Sequence, residues 1–134
     1  MTNVLHEWLD LWNGDYAVAD TLIADDFRLH AALMGGADDS AVNSPAALTE
    51  WIRQLRTLAT DLHFEVQVSL ADGDHLAVRW RCRGTYSGAM PGATAPAGTA
   101  IDFTGTDVLR THDGRIAEYW VNSDIHVLLA QLKA

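Results

Sequence analysis

The sequence predicts an α+β fold, in which a cone-shaped, bent antiparallel sheet wraps around helices from the N-terminal part of the chain. The first observation is a change of period, because apolar residues recur at helical spacing up to about residue 62 and at every second position beyond it. The second is a pair of hairpin-turn compositions, Ala71-Asp72-Gly73-Asp74 and His112-Asp113-Gly114, which are typical of antiparallel neighbours. The chain has 134 residues without a repeat or a long linker, which indicates a single domain over residues 1–134.

Three helices are predicted before the main part of the sheet. An amphipathic helix runs from Thr2 to Trp12, and Asn13-Gly14-Asp15 ends it and caps a short second helix from Tyr16 to Ile23. Ser44 caps the third helix, and Pro45 occupies its first turn. The apolar stripe of this third helix comprises Leu48, Trp51, Ile52, Leu55 and Leu58.

Strands are predicted over most of the remaining chain. The first, from Asp26 to Leu33, precedes a loop rich in Gly, Asp and Ser from Met34 to Asn43. The later elements are strands at Phe64 to Leu70, Leu76 to Cys82, Ile101 to Leu109 and from Arg115 onward, then a terminal helix from His126 to Leu132. A Gly-, Ala- and Pro-rich connection spans Gly84 to Thr99. A sheet curved over an amphipathic helix buries both apolar faces and leaves a cavity between them, which is a usual place for ligands.

Composition limits the classes of function. Nine Lys and Arg against 18 Asp and Glu give a formal net charge of −9, which argues against nucleic acid and against anionic membrane surfaces as partners. Cys82 is the one cysteine, so no internal disulfide is possible, and a single thiol suits a reducing cytoplasm. The first residues do not have the pattern of a signal peptide, and no apolar run approaches the roughly 20 residues of a membrane span. We therefore expect a cytoplasmic protein.

Asp107 is the residue that most strongly suggests a functional site. In the strand from Ile101 to Leu109 it shares a face with Phe103, Gly105 and Leu109, because side chains alternate along a strand. A carboxylate on an apolar face is costly unless it is paired, hydrogen-bonded or protonated. Two interpretations are open. Asp107 is either a pocket acid whose pKa is raised above about 3.9 by desolvation, or a buried structural residue held by a neighbouring donor.

Aromatic side chains from several elements are predicted to line the cavity around Asp107. Aromatic walls suit a flat, hydrophobic ligand, although they also suit a small core. Tyr119 is predicted to assist Asp107 in catalysis. The predicted substrate-binding residues are Trp12, Tyr16, Phe27, Trp51, Trp80, Tyr86, Phe103 and Val121.

Other polar residues have simpler explanations. The histidines show no metal-ligand spacing and the glycines form no phosphate loop, so we expect neither a metal nor a cofactor. His30 alternates away from the apolar face of its strand and is expected at the surface or at a dimer interface. Asp124 is expected to cap the terminal helix. In the last strand, simple alternation turns Tyr119 toward the cavity, whereas a bulge would turn Trp120 there.

Several segments of the chain resemble the SnoaL-like polyketide cyclase family of the nuclear transport factor 2-like superfamily. They are Leu22-Ile23-Ala24-Asp25-Asp26-Phe27, Gly84-Thr85-Tyr86-Ser87-Gly88 with Gly92, and Asp113-Gly114-Arg115-Ile116-Ala117-Glu118-Tyr119-Trp120, continued by Asp124, Leu128, Leu129, Gln131 and Leu132. The resemblance spans nearly the whole chain in the right order. It implies an α+β cone fold and a homodimer that is formed by the open faces of two sheets.

The chain departs from this family at the residues that carry the chemistry. The resemblance implies a cavity His at the position of Asp107 and an acid–base Asp at the position of Val121, and valine cannot transfer a proton. The related limonene epoxide hydrolases place an essential Asp at the same position. Ketosteroid isomerases of the same superfamily have a protonated aspartic acid near the Asp107 position, but their base and their tyrosine would align near Ala31 and Glu7.

Three functional hypotheses follow. The first is an enzyme that acts on a small hydrophobic carbonyl compound, with cyclisation or isomerisation through an enolate. Asp107 would be its general acid, or its base if ionised, assisted by Tyr119 or Tyr86. The second is a non-catalytic protein that binds a small hydrophobic molecule. The third is a dimeric interaction module whose cavity has lost its function.

Overall fold

Within the part of the chain that the structure describes, five strands form one curved sheet, which is mostly a meander. A computed structural model describes residues 2–33 and 38–134 of the chain. The strands are β1 (Ile23–His30), β2 (His63–Asp72), β3 (His75–Thr85), β4 (Ala100–His112) and β5 (Arg115–Ser123). Their order across the sheet is β1-β5-β4-β3-β2, and β2 to β5 pair antiparallel with their sequence neighbours. This arrangement confirms the predicted α+β class.

The direction of β1 differs from the prediction, because β1 pairs parallel to β5 and makes the sheet mixed. The strand also runs from Ile23 to His30 rather than from Asp26 to Leu33. No hairpin joins β1 to β5, so no local turn sets their relative direction, and a parallel pair requires a long crossover connection. The chain between these two strands contains the rest of the sheet, and this connection permits the parallel pairing.

The described residues form four α-helices beside the sheet: α1 (Thr2–Trp12), α2 (Ala19–Leu22), α3 (Pro45–Arg56) and α4 (Ile125–Leu132). The predicted second helix is a 3₁₀ turn at Tyr16–Val18 that continues into the four residues of α2. At the start of α3, the hydroxyl of Ser44 accepts a hydrogen bond from the backbone N–H of Ala47 at 3.1 Å, as the capping pattern predicts. No helix in the described part of the chain is long and apolar enough to cross a membrane.

The predicted loop from Met34 to Asn43 is described only in part, since residues 34–37 lie outside the described residues. Its second half contains a 3₁₀ turn at Asp39–Ala41. The N–H of Ala31 donates to a carboxylate oxygen of Asp39 at 3.0 Å, which ties this turn to the residues that follow β1.

Polar contacts hold the end of α1 against the sheet. The side-chain amide of Asn13 exchanges two hydrogen bonds with the backbone of Phe64, at 3.1 and 2.8 Å. The guanidinium of Arg56 donates to the carbonyl oxygens of Trp12 and Leu62 at 2.9 and 3.0 Å. These bonds satisfy carbonyl and amide groups at a helix end and a strand start. They also fix the tryptophans of α1 over the concave face of the sheet.

Candidate functional site

A cavity of about 180 Å³ lies between the concave face of the sheet and helices α1 and α3. We call its aromatic lining the aromatic wall. Its members come from α1, α3 and all of the antiparallel strands: Trp8, Trp12, Trp51, Phe64, Trp80, Phe103 and Tyr119. Most of these rings meet edge to face, for example Trp12 and Trp51 at 5.7 Å and Trp80 and Phe103 at 5.6 Å between centroids. Such pairs pack favourably beyond the area that they bury.

Asp107 lies in this cavity and is 3% exposed, so the predicted inward orientation is confirmed. Three neutral donors hold its carboxylate. Its Oδ1 accepts hydrogen bonds from Trp80 Nε1 at 2.9 Å and from the Tyr119 hydroxyl at 3.1 Å. Its Oδ2 accepts one hydrogen bond, from Trp8 Nε1 at 3.0 Å. The donors therefore come from three elements that are remote in sequence, namely α1, β3 and β5.

Burial and hydrogen bonding act in opposite directions on the pKa of Asp107. Desolvation is the larger effect, and the bonds from Trp8, Trp80 and Tyr119 favour the ionised form, so the pKa rises from 3.8 to about 6. The pKa of Tyr119 is raised well above its ordinary value by its own burial and by the neighbouring Asp107. Tyr119 is therefore a neutral hydroxyl donor near neutral pH, while most Asp107 side chains are ionised there.

Gly105 makes the contact between Trp80 and Asp107 possible. Trp80 on β3 lies directly opposite Gly105 on β4. A Cβ atom at position 105 would lie 2.2 Å from Trp80 Cζ2 and 2.7 Å from Cε2, so any side chain there would displace the indole ring. The indole ring thus lies across the bare backbone of Gly105, and its N–H reaches the carboxylate two residues further along β4.

Trp8 is the member of the site that sequence reasoning missed. The sequence predicts only that the helix from Thr2 to Trp12 is amphipathic, yet Trp8 of this helix provides the donor to Oδ2 of Asp107. Its spacing of four residues from Trp12 was the available signal, since residues i and i+4 share a helix face. The two indoles differ in their bonding, because Trp12 Nε1 is buried and has no acceptor within the described part of the chain.

Five of the eight predicted substrate-binding residues line the cavity: Trp12, Trp51, Trp80, Phe103 and Val121. Asp107 and Tyr119 join them there. The structure does not bring Tyr16, Phe27 and Tyr86 to the cavity.

Tyr16, Phe27 and Tyr86 lie in three different parts of the fold. Tyr16 lies under the guanidinium of Arg53, 4.7 Å from its ring centroid, in the turn before α2. Phe27 is fully buried in the core on β1. The hydroxyl of Tyr86 accepts from the N–H of Met90 at 2.9 Å, in the connection between β3 and β4.

The register of β5 is regular at the site. Asp107 and Val121 are direct cross-strand partners, and Tyr119 faces the cavity while Trp120 does not. Trp120 stacks on His30, with 5.1 Å between ring centroids, and His30 Nε2 lies 2.7 Å from a carboxylate oxygen of Glu118. His30 thus lies on the outer face of the sheet, as strict alternation predicts.

Asp124 and Cys82 have environments that are typical of residues with a structural role. Asp124 occupies the position before α4, but its side chain makes no capping bond. Instead, it accepts a hydrogen bond from the Thr104 hydroxyl at 2.6 Å. The expected helix cap is therefore replaced by a hydrogen bond to β4. Cys82 is fully buried, and burial raises the pKa of its thiol to about 12, which keeps it protonated.

Polar groups at the cavity lining are few. Besides Asp107 and Tyr119, the polar lining residues of the described chain are Asn122 and Ser123 at the end of β5. Asn122 is exposed and Ser123 is half-buried, so they mark the solvent side of the cavity. The described residues contain no group of three or more side chains that could together hold a metal ion.

The curved sheet and the helices packed against it form an α+β cone. Asp107 lies in the aromatic cavity of this cone. The family model of the SnoaL-like polyketide cyclases matches residues 2–132. The chain is therefore a member of the SnoaL-like polyketide cyclase family. A search of curated protein sequences found no match.

Three solved structures of Streptomyces proteins are similar to this chain in fold. IdmH of Streptomyces antibioticus, a proposed polyketide cyclase, is 27% identical with a TM-score of 0.83, over 99% of this chain and 98% of IdmH. TsrD of Streptomyces laurentii is 21% identical with a TM-score of 0.81, over 98% and 92% of the two chains. AclR of Streptomyces galilaeus, a proposed hydroxylase, is 23% identical with a TM-score of 0.80, over 98% and 80%. The last two show a shared fold only.

Proposed function

We propose that this protein binds a small hydrophobic carbonyl compound in its cavity and catalyses cyclisation or isomerisation of that compound through an enolate. The observation that carries the proposal is the environment of Asp107. Its carboxylate lies in an apolar cavity with a pKa raised to about 6. A proton-transfer group is most effective when its pKa lies near the working pH.

The hydrogen bonds of Asp107 suggest which oxygen would transfer the proton. Oδ1 already accepts two hydrogen bonds, whereas Oδ2 accepts one. A carboxylate oxygen has two lone pairs. Oδ2 of the ionised group therefore keeps an acceptor site for a proton of the ligand, while Trp8, Trp80 and Tyr119 hold the group in place.

The proposed reaction begins when Oδ2 of Asp107 removes a proton from the carbon next to the ligand carbonyl. The electron pair of that C–H bond moves into the carbonyl group and forms an enolate. In an isomerisation, the protonated Asp107 returns the proton to another carbon. In a cyclisation, the enolate carbon attacks a second carbonyl group, and the resulting alkoxide takes the proton from Asp107. Both routes regenerate the ionised carboxylate.

The cross-strand position of Asp107 supports this assignment. The family resemblance implies an acid–base Asp where this chain has Val121, and Val121 lies directly opposite Asp107. Side chains of direct antiparallel partners have Cβ atoms about 5 Å apart. We propose that the acid–base carboxylate of this chain sits on β4 instead of β5. The proposed cyclase assignment of IdmH, a relative 27% identical to this chain, favours the same class of reaction.

The size of the cavity limits the part of a ligand that can be enclosed. A cavity of about 150 Å³ in another protein binds benzene, and the cavity here is about 180 Å³. We infer that one ring or a small bicyclic group is enclosed beside Asp107. A longer polyketide-like chain would extend past Asn122 and Ser123 into solvent.

The test measures proton abstraction itself, and so requires no knowledge of the natural substrate. Purified protein is incubated with 1-indanone in D2O, and exchange of the protons next to the carbonyl is followed by proton NMR. The wild-type protein is expected to accelerate exchange, and Asp107→Asn is expected to lose the acceleration. The matched control is Asp113→Asn in the exposed β4–β5 turn, where the positive φ of 52° tolerates Asn. Equal exchange rates in wild type and Asp107→Asn would contradict the proposal.

A non-catalytic binding protein is the second candidate. It is favoured by the three donors that fix Asp107, because such a network also occurs in purely structural sites. Saturable binding of 1-indanone without accelerated exchange would support this candidate over the enzyme.

We further propose that the protein forms a homodimer through the outer face of its sheet. Val68 and Leu70 on β2 are 53% and 68% exposed there, and burial of such apolar side chains favours association.

A further inference from the structure

Asp107 gives the cavity a negative charge that no described lining residue balances. Asp107 is the only charged side chain among the described lining residues, and all three of its hydrogen-bond donors are neutral. An ionised carboxylate in an apolar site is unfavourable unless an opposite charge or a proton compensates it. A positively charged ligand would provide that compensation.

The aromatic wall offers a second attraction for a cation. Four of its members are tryptophans, namely Trp8, Trp12, Trp51 and Trp80. The faces of aromatic rings carry negative charge density, and tryptophan attracts cations most strongly. The formal net charge of −9 adds a longer-range attraction for cations near the protein.

We propose that the cavity also binds a small organic cation, namely a protonated tertiary amine with a hydrophobic substituent, and that Asp107 is its counter-ion. The ammonium N–H donates to Oδ2 of Asp107, and the N-alkyl groups lie against the aromatic wall. This binding goes beyond the proposed enolate chemistry and does not require it.

The number of available acceptors favours a tertiary amine over other cations. A primary ammonium carries three N–H donors, whereas a tertiary ammonium carries one. That single donor matches Oδ2, for which Trp8 is the one hydrogen-bond donor among the described residues. A metal ion such as Mg²⁺ or Ca²⁺ requires six or more oxygen ligands, and the described residues provide no cluster of that kind.

The charge state of Asp107 makes the binding depend on pH. The groups that face it are Trp8 from α1, Trp80 from β3 and Tyr119 from β5, and none of them carries a charge between pH 5 and pH 8. The pKa of Asp107 is raised to about 6, so the ionised fraction falls about tenfold between pH 8 and pH 5. The affinity for an amine that stays protonated over this range falls by the same factor.

The test compares two ligands of similar size by titration of the intrinsic tryptophan fluorescence. N,N-dimethylbenzylamine is the cation, and isobutylbenzene has the same skeleton without the charge. At pH 8 the amine is expected to bind at least about tenfold more tightly than isobutylbenzene, because its N–H donates a charge-assisted hydrogen bond to ionised Asp107, which adds to the cation–π attraction of the aromatic wall. At pH 5 this preference is expected to shrink about tenfold, while the affinity for isobutylbenzene stays unchanged.

The variant Asp107→Asn is expected to lose the preference for the amine and to keep the affinity for isobutylbenzene. If the variant does not fold, the comparison of pH 8 with pH 5 in the wild-type protein decides the question. Equal affinities for the amine and isobutylbenzene at pH 8, or a preference that does not change with pH, would overturn the proposal. Accelerated exchange of 1-indanone without a preference for the amine would reject only the cation site. A preference for the amine without accelerated exchange of 1-indanone would reject only the enolate chemistry.

Discussion

Replacing Asp107 by Asn isolates the free energy associated with ionisation of a buried acid. Asn keeps nearly the same size and an acceptor oxygen, but it does not titrate. The carboxyl group is buried, and burial raises its pKa from 3.8 to about 6 against the opposing effect of three hydrogen bonds. The wild-type protein should therefore show a dependence of stability on pH that the variant lacks.

The sign of this dependence of stability on pH follows from the linkage between protonation and folding. Because the folded-state pKa of Asp107 is above the unfolded value, the folded protein binds this proton more tightly. The stabilisation is fully present below pH 3.8 and is lost as the pH rises through about 6. At 1.36 kcal/mol per pKa unit, the whole change is about 3 kcal/mol, of which about 2 kcal/mol or more falls between pH 4 and pH 8.

The measurement is urea unfolding of wild type and Asp107→Asn at pH 4, 5, 6, 7 and 8, followed by tryptophan fluorescence. The difference in free energy of unfolding, wild type minus variant, should fall as the pH rises. Subtraction removes the contribution of all other carboxyl groups, and any loss of hydrogen bonds to Asn adds an offset that is constant with pH. A difference that is independent of pH, or that rises with pH, would refute the reasoning, since the hydrogen bonds would then balance or outweigh desolvation.

Three further perturbations test the site and the outer sheet face. The Cβ atom of Gly105→Ala would lie 2.2 Å from Trp80 Cζ2. Overpacking and loss of the Trp80 hydrogen bond should therefore lower the free energy of unfolding by about 2–4 kcal/mol. A loss below about 1 kcal/mol in urea unfolding would argue against this contact. Val121→Asp should place a second carboxylate opposite Asp107 and raise the pKa of one of the pair, which carbon-13 NMR can follow. Titration of Asp107 as in the wild type, together with an ordinary pKa for the introduced carboxyl group, would speak against their proximity. Leu70→Asp should convert a homodimer into a monomer in sedimentation velocity at micromolar concentration, whereas a monomeric wild type would remove the basis for the dimer.

The local patterns of the sequence were sufficient for most elements and for the central residue of the site. The alternation between Ile101 and Leu109 predicted the buried face of β4, and the structure confirms it, including the inward orientation of Asp107. The hairpin compositions predicted the antiparallel pairing of β2 with β3 and of β4 with β5. These inferences succeeded because strand alternation and tight turns depend on residues that are adjacent in the chain.

The sequence by itself thus determined the α+β class, the family and an acid on an apolar face, whereas the tertiary structure decided what surrounds that acid. Trp8 is 99 residues away from Asp107 along the chain, and a helical stripe shows which residues share a face but not what they contact. The parallel direction of β1 and the exclusion of Phe27 from the cavity have the same origin. Both depend on packing between elements that no local pattern connects, and that packing also sets the balance of burial and hydrogen bonding on which the pKa of Asp107 depends.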